Sequence, residues 1–146
     1  MKKMEIGIII VAHGKYGSAI LRTAEEILGP QSDCVSISVD VAHDVEESVR
    51  RLNDAAERLN AGGGVIVLTD MFGGTPSNIA LSLPKKYRVE VVTGVNLPML
   101  LKVFENRGTA ELEELANMAG EAGKRGIVVA GEMLRNRQKA QEKTQE

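Results

Sequence analysis

Apolar positions are unevenly spread along the chain. Residues 5 to 12, Glu-Ile-Gly-Ile-Ile-Ile-Val-Ala, form a continuous apolar run rich in β-branched side chains. With no alternation of period two, both faces of such a strand must be covered, which is how a central strand of a parallel sheet reads. A second unbroken run, Val65 to Thr69, has the same character. Between them, Cys34 to Val41 alternates Val35, Ile37, Val39 and Val41 with Cys34, Ser36, Ser38 and Asp40, so one face is wet and the strand belongs nearer the sheet edge. Tyr87 to Thr93 is a fourth expected strand and Gly126 to Ala130 a short fifth.

Helical spacing fills the gaps. Ser18 is placed to cap a helix running to Leu28, with Ile20, Ala24, Ile27 and Leu28 on one face and Gly29-Pro30 to end it. Asp44 and Glu47 resemble a capping box ahead of Val45, Val49, Leu52, Ala56 and Leu59, and Gly62-Gly63-Gly64 closes that helix. Thr75-Pro76 marks a helix start, a hydroxyl cap and a proline at the first helical position; that helix ends at Leu83-Pro84. Gly94-Val-Asn-Leu-Pro98 opens another, reaching about Glu105. Thr109 is the expected cap of one more, with Leu112, Leu115 and Met118 inward and Glu111, Glu113 and Glu114 near its positive end. From Glu132 onward there is almost nothing to bury, so residues 132–146 read as a solvated helix or frayed tail behind a domain spanning 1–131.

Strands alternating with helices define an α/β fold, a doubly wound open sheet that is mostly parallel. Two fully apolar strands side by side, with the half-wet strand outside the first, give the order 2-1-3-4. The winding direction then reverses between the first and third strands, where open parallel sheets bind their ligands beyond the carboxyl ends. The residues at those two ends are His13 and Asp70.

Composition narrows the chemistry. The chain has 146 residues, 43% hydrophobic and 26% charged, with a net charge of −2. That is a globular domain without the basic footprint of a nucleic-acid binder. Only 3% of residues are aromatic, which argues against a base-stacking platform. The one cysteine, Cys34, excludes an internal disulfide and a cysteine-based zinc site. The first apolar run is too short to span a bilayer and lacks a cleavage site, so a cytoplasmic protein is expected.

An imidazole beside a carboxylate is a functional pair. The carboxylate fixes the tautomer and raises the basicity of the other ring nitrogen, which can then act as base, metal ligand or nucleophile. Gly73 and Gly74 allow close backbone approach, and Thr75, Ser77 and the helix start behind them form a candidate anion cradle. Nucleophile, orienting acid and anion cradle together describe phosphoryl transfer through a phosphohistidine. An isolated histidine at a strand end is ordinarily structural, but Gly14 behind it and the switch-point position favour function here. Asp70 on its own would serve equally as a turn cap, and paired glycines usually serve turns. Met71 and Phe72 lie in a loop at the expected crevice mouth, where apolar residues suit a partner surface, whereas Met99 and Leu100 also fit an ordinary core. His43, at the entry to the second helix, is read as a capping or surface residue.

Three segments, Val11-Ala-His-Gly14, Thr69-Asp-Met-Phe-Gly-Gly-Thr-Pro-Ser-Asn78 and Gly94-Val-Asn-Leu-Pro-Met-Leu100, resemble the signatures of the mannose-class IIA domain of the bacterial phosphoenolpyruvate:sugar phosphotransferase system. The resemblance runs from about Glu5 to Gly131. It implies that His13 carries a phosphoryl group received from the phosphocarrier HPr and passed to a separate IIB protein, ahead of the membrane IIC and IID subunits. It further implies that Asp70 orients the ring, that Thr75 helps bind the phosphoryl oxygens, and that Lys15, Met71, Phe72 and Met99 lie where partners dock. Neither cofactor nor metal is expected. A homodimer in which the C-terminal strand, here Gly126 to Ala130, crosses to the partner's sheet is implied as well. Family members often carry Trp where this chain has Lys15 and Phe72. The alternatives are the related phosphotransferase subunit that feeds dihydroxyacetone kinase, a tetrapyrrole metal chelatase with a His-Gly metal ligand, and a receiver-like binding module, which would need clustered carboxylates at the strand ends.

Overall fold

The computed structural model describes residues 5–40, 42 and 44–145. Its elements, in chain order, are β1 (Gly7–His13), α1 (Tyr16–Leu28), β2 (Cys34–Val39), α2 (Val45–Leu59), β3 (Val65–Thr69), α3 (Thr75–Leu81), β4 (Val89–Thr93), α4 (Leu97–Asn106), α5 (Leu112–Arg125) and α6 (Ala130–Thr144). The four strands form one sheet in the order β2-β1-β3-β4. All three pairings are parallel, with Ile9 opposite Val35 on one side and Val67 on the other. The order expected from the burial character of the strands is the one observed.

Alternation along each strand sends side chains to two cores. Ile8 and Ile10 of β1 and Ile66 and Leu68 of β3 pack with Ala24 of α1, Leu100 and Val103 of α4, and Leu112 and Leu115 of α5. Ile9, Val11, Val65 and Val67 point the other way, against Leu52 and Leu59 of α2 and Ile79 of α3. β1 and β3 are covered on both faces, which is why their sequences lack alternation. Ile37 and Val39 of β2 are buried while Ser38 is exposed, matching its half-wet pattern.

Several element ends differ from expectation. α1 begins at Tyr16, not behind Ser18, because the Ser18 hydroxyl donates back to the Lys15 carbonyl and does not accept from the first turn. Thr109 similarly donates to the Asn106 carbonyl and closes α4, leaving Glu111 to precede α5. β4 starts at Val89 because Tyr87 is turned in by a bond from its N–H to the Pro84 carbonyl. Asp44 caps α2 as expected, accepting from the Glu46 N–H at 3.0 Å. Val41 and His43 lie outside the described residues.

No fifth strand forms within the chain among the described residues. Ile127 to Val129 connect α5 and α6 without joining a strand, bonded only at their ends to Lys124 and Met133, with Ile127 75% and Val129 65% exposed. α6 buries no residue, in keeping with the polar composition of the tail. No helix of the described residues is long and apolar enough to cross a membrane.

At the amino ends of the strands a buried arginine does the work of several turns. Arg107, 3% exposed, follows α4. Its Nε and Nη2 donate to the Ile6 carbonyl at 3.1 and 2.8 Å, Nη2 also to Asp33 at 3.0 Å, and Nη1 to Ser32 at 2.6 Å. The planar fork thereby joins the entry to β1, the entry to β2 and the end of α4. Its charge is met by Glu5 Oε2 at 3.9 Å and by carbonyl dipoles. Removing the fork would strand several carbonyl groups in a dry site. Arg107→Met is therefore expected to cost about 3 kcal/mol of stability, read as a lowered urea midpoint, with Arg107→Lys recovering only part because one ammonium cannot reach all three carbonyls.

Candidate functional site

The parallel pairing of β1 with β3 is what brings His13 and Asp70 together across 57 residues of sequence. His13 is the last residue of β1 and Asp70 follows the last residue of β3. One carboxylate oxygen, Asp70 Oδ2, lies 2.7 Å from His13 Nδ1 and accepts the His13 backbone N–H at 2.9 Å. The other, Oδ1, accepts the Met71 N–H at 2.9 Å. Partial burial works against the charged carboxyl, but the backbone and ring of His13 and the Met71 N–H outweigh it, holding Asp70 below its ordinary pKa of 3.8. Asp70 Oδ2 thus engages Nδ1 and leaves Nε2 available; the His13 side chain is 40% exposed, so the ring is open to a partner.

His13 shares the strand parity of Ile9 and Val11 and so faces the α2 and α3 side, where the loop after β3 lies against it. A Cβ added at Gly74 would stand 3.2 Å from His13 Cε1, so a residue without a side chain lets the loop reach the ring. Gly74 precedes α3, Thr75 is its first residue, and the Asn78 N–H bonds the Gly74 carbonyl. Gly73 and Thr75 are the chain neighbours of Gly74 in that loop. Ser77 is placed differently from Thr75: it is fully buried, and its hydroxyl has no partner among the described residues. The Thr69 hydroxyl at the end of β3 is buried and unpartnered in the same way.

Met71 and Phe72 are exposed, Phe72 to 77%, on the loop that touches the ring. Lys15 is exposed at the start of α1. Met99, expected at the partner surface, is instead in the core with its Cε packed toward Gly123, because Asn96 caps α4 and turns that face of the helix inward.

The sequence left unread what the third motif does. Asn96 accepts the Met99 N–H at 3.1 Å and donates to the Gly123 carbonyl at 3.0 Å, joining α4 to α5. The Val95 N–H bonds the Thr69 carbonyl at 2.9 Å, and the Tyr16 hydroxyl donates to the Val95 carbonyl at 2.5 Å. The Ser38 hydroxyl donates to Gly14 O at 2.7 Å. An Asn two residues before a Pro is a readable cap signal; the two hydroxyl ties have no local signature. Among the described residues no group of three or more His, Cys, Asp or Glu side chains is placed to hold a metal ion.

Comparison with known proteins identifies the family. The family model described as "PTS system fructose IIA component" matches residues 7–119. The "PTS system mannose-specific EIIAB component" of Escherichia coli (strain K12) is 33% identical over 126 residues, 85% of this chain and 39% of that protein. The chain thus spans about two fifths of that relative's length. The "PTS system fructose-specific EIIA component" of Bacillus subtilis (strain 168) is 28% identical over 142 residues, 97% of each chain. Among solved structures, a phosphotransferase system component EIIA from Streptococcus agalactiae superposes with a TM-score of 0.79 at 30% identity, covering 86% of this chain and 98% of that one. The His–Asp pair at the switch point therefore sits in a chain that belongs to the EIIA-man family, the mannose-class IIA components of the sugar phosphotransferase system.

Proposed function

We propose that this chain is a phosphoryl relay in which His13 Nε2 receives the phosphoryl group of phospho-HPr and passes it to a histidine of a separate IIB protein, upstream of membrane IIC and IID subunits. The observation that carries this reading is the bond from His13 Nδ1 to Asp70, because it leaves Nε2 as the available nucleophile on an exposed ring. In the forward step the Nε2 lone pair forms the new N–P bond while the bond from phosphorus to the donor imidazole breaks. The Nδ1–H stays on the ring, and the adjacent carboxylate stabilises the charge the ring acquires. The second step is the same exchange with His13 as leaving group.

The remaining parts follow from what phosphoryl transfer requires, which is in-line positioning and compensation of oxygen charge. Gly74 approaches the ring, and with its neighbours Gly73 and Thr75 it supplies the backbone and hydroxyl groups that would meet those oxygens. With its hydroxyl sealed below, Ser77 is left only its backbone N–H to offer. Met71, Phe72 and Lys15 form the exposed rim on which HPr and the IIB protein dock in turn, in the cytoplasm. Met99, being buried, supports that rim only from within.

A homodimer belongs to the same reading. β4 is an open edge of the sheet, and the β-branched residues Ile127, Val128 and Val129 are exposed and joined to no strand. Exchanging that segment onto the partner's β4 edge would satisfy both.

Incubation with phosphoenolpyruvate, enzyme I and HPr is expected to yield an acid-labile, base-stable phosphate on the wild type and none on His13→Ala, with the 31P signature of an Nε2 phosphohistidine. Label retained by His13→Ala would overturn the assignment. Asp70→Asn should slow the transfer by about 100-fold, because the ring loses its fixed tautomer. For stability the sign is set by the lowered carboxyl pKa. Asp70's contribution is complete above the ordinary value of 3.8 and is lost as the pH falls through the lower folded value. The stability gap between wild type and Asp70→Asn should accordingly hold from neutral pH down to about pH 4 and close below it, as read by urea titrations across that range. Val128→Pro, which cannot donate into a ladder, is expected to convert a dimer to a monomer in sedimentation velocity; an unchanged dimer would refute strand exchange.

A further inference from the structure

We propose that Ser38 and Tyr16 are positioning residues for His13, two hydroxyl groups that hold the turn bearing the nucleophile from opposite sides. The inference rests on the relay reading and extends it to residues outside the three motifs. It starts from how little else holds that turn. Gly14 has φ +52°, and a Cβ built on it would meet nothing within 4 Å, so neighbouring side chains do not brace the backbone there. Lys15, the residue before α1, makes no side-chain capping bond. The Lys15 carbonyl accepts the Ala19 N–H and the Ser18 hydroxyl, bonds that tie the segment forward into α1 but not across to the rest of the sheet.

Two hydrogen bonds supply the missing restraint. On the β2 side, Ser38 Oγ donates to the Gly14 carbonyl at 2.7 Å. Toward β4, Tyr16 Oη donates to the Val95 carbonyl at 2.5 Å, and the Val95 N–H is bonded to the Thr69 carbonyl at 2.9 Å. That second tie returns to the end of β3, next to Asp70. His13 is thus anchored ahead by its own N–H on Asp70, laterally by Nδ1, and behind by the two hydroxyls. Transfer between two proteins demands that Nε2 meet phosphorus in line, and an error of about 1 Å costs on the order of 100-fold. The Ser38 side chain is exposed and Tyr16 is 45% exposed, so removing either oxygen empties no core cavity.

The test compares wild type, Ser38→Ala, Tyr16→Phe, the double variant and Ser38→Thr by two readouts. The first is single-turnover transfer from phospho-HPr over a range of its concentration. Each single variant is expected to lower the saturated rate by about fivefold, the equivalent of one hydrogen bond, and the double variant by more. The concentration giving half the maximal rate should be unmoved, and Ser38→Thr should transfer like the wild type. The second readout is the NMR line width of the His13 Cε1–H signal, which reports ring order without any transfer. It should be sharp in the wild type and in Ser38→Thr, and broadened by exchange in the double variant. Saturated rates that match the wild type overturn the proposal, and so does a rate loss with a sharp ring signal. If wild-type protein takes no phosphoryl group from phospho-HPr, the relay reading falls, and the ring signal alone then decides the positioning claim: broadening in the double variant upholds it and a sharp signal refutes it.

Discussion

A single carboxylate oxygen, Asp70 Oδ2, accepts both the backbone N–H and the ring nitrogen of His13. Two bonds to one atom hold main chain and side chain of the same residue, so the imidazole has little freedom left about its own backbone. The arrangement exists because β1 and β3 are hydrogen-bonded neighbours running in the same direction, which sets their carboxyl ends level. Every other part of the site is placed relative to that pair. The glycine loop leaves β3 directly behind Asp70, and the turn into α1 leaves β1 directly behind His13.

The scaffold behind the pair is built to be stiff. β1 and β3 are buried on both faces by two separate helix layers, and close-packed cores of this kind transmit little slack to the strand ends. At the opposite end of the sheet Arg107 gathers the entries to β1 and β2 with its buried fork. Chemistry is thereby confined to the loops at one end and stability to the strands and the arginine at the other, the usual division in open parallel sheets. An accessible ring on a fixed strand end suits the proposed relay, in which one atom meets two partners in succession.

The third motif contributes differently from the first and second. Residues 70–75 touch or flank the imidazole, whereas Gly94 to Pro98 contribute through Asn96 and the Val95 backbone, which hold α4, α5 and the end of β3 in register. Burial of Met99 follows from that role: once Asn96 caps the helix, the next turn packs inward. Exposed apolar side chains include Met71 and Phe72 on the loop after β3 and Ile127 to Val129 toward the end of the chain, alongside others such as Ile27, Leu81 and Leu134.

The order of the four strands, the doubly wound class and the meeting of His13 with Asp70 were determined by the sequence itself. Unbroken β-branched runs can be satisfied only by burial on both faces, and an alternating run only at an edge, so hydrophobic pattern translates directly into position in the sheet. Helix ends were less legible. The hydroxyls of Ser18 and Thr109 can donate or accept, and the surrounding carbonyls decided which. Three features belonged to the tertiary structure alone. Gly126 to Ala130 has strand composition but no strand to pair with in its own chain, Arg107 is polar yet buried because three carbonyls from distant segments converge on it, and Ser38 reaches Gly14 only because β2 lies beside β1. In each case the deciding partner is remote in sequence, and a partner's position is a property of the assembled fold, not of the local pattern.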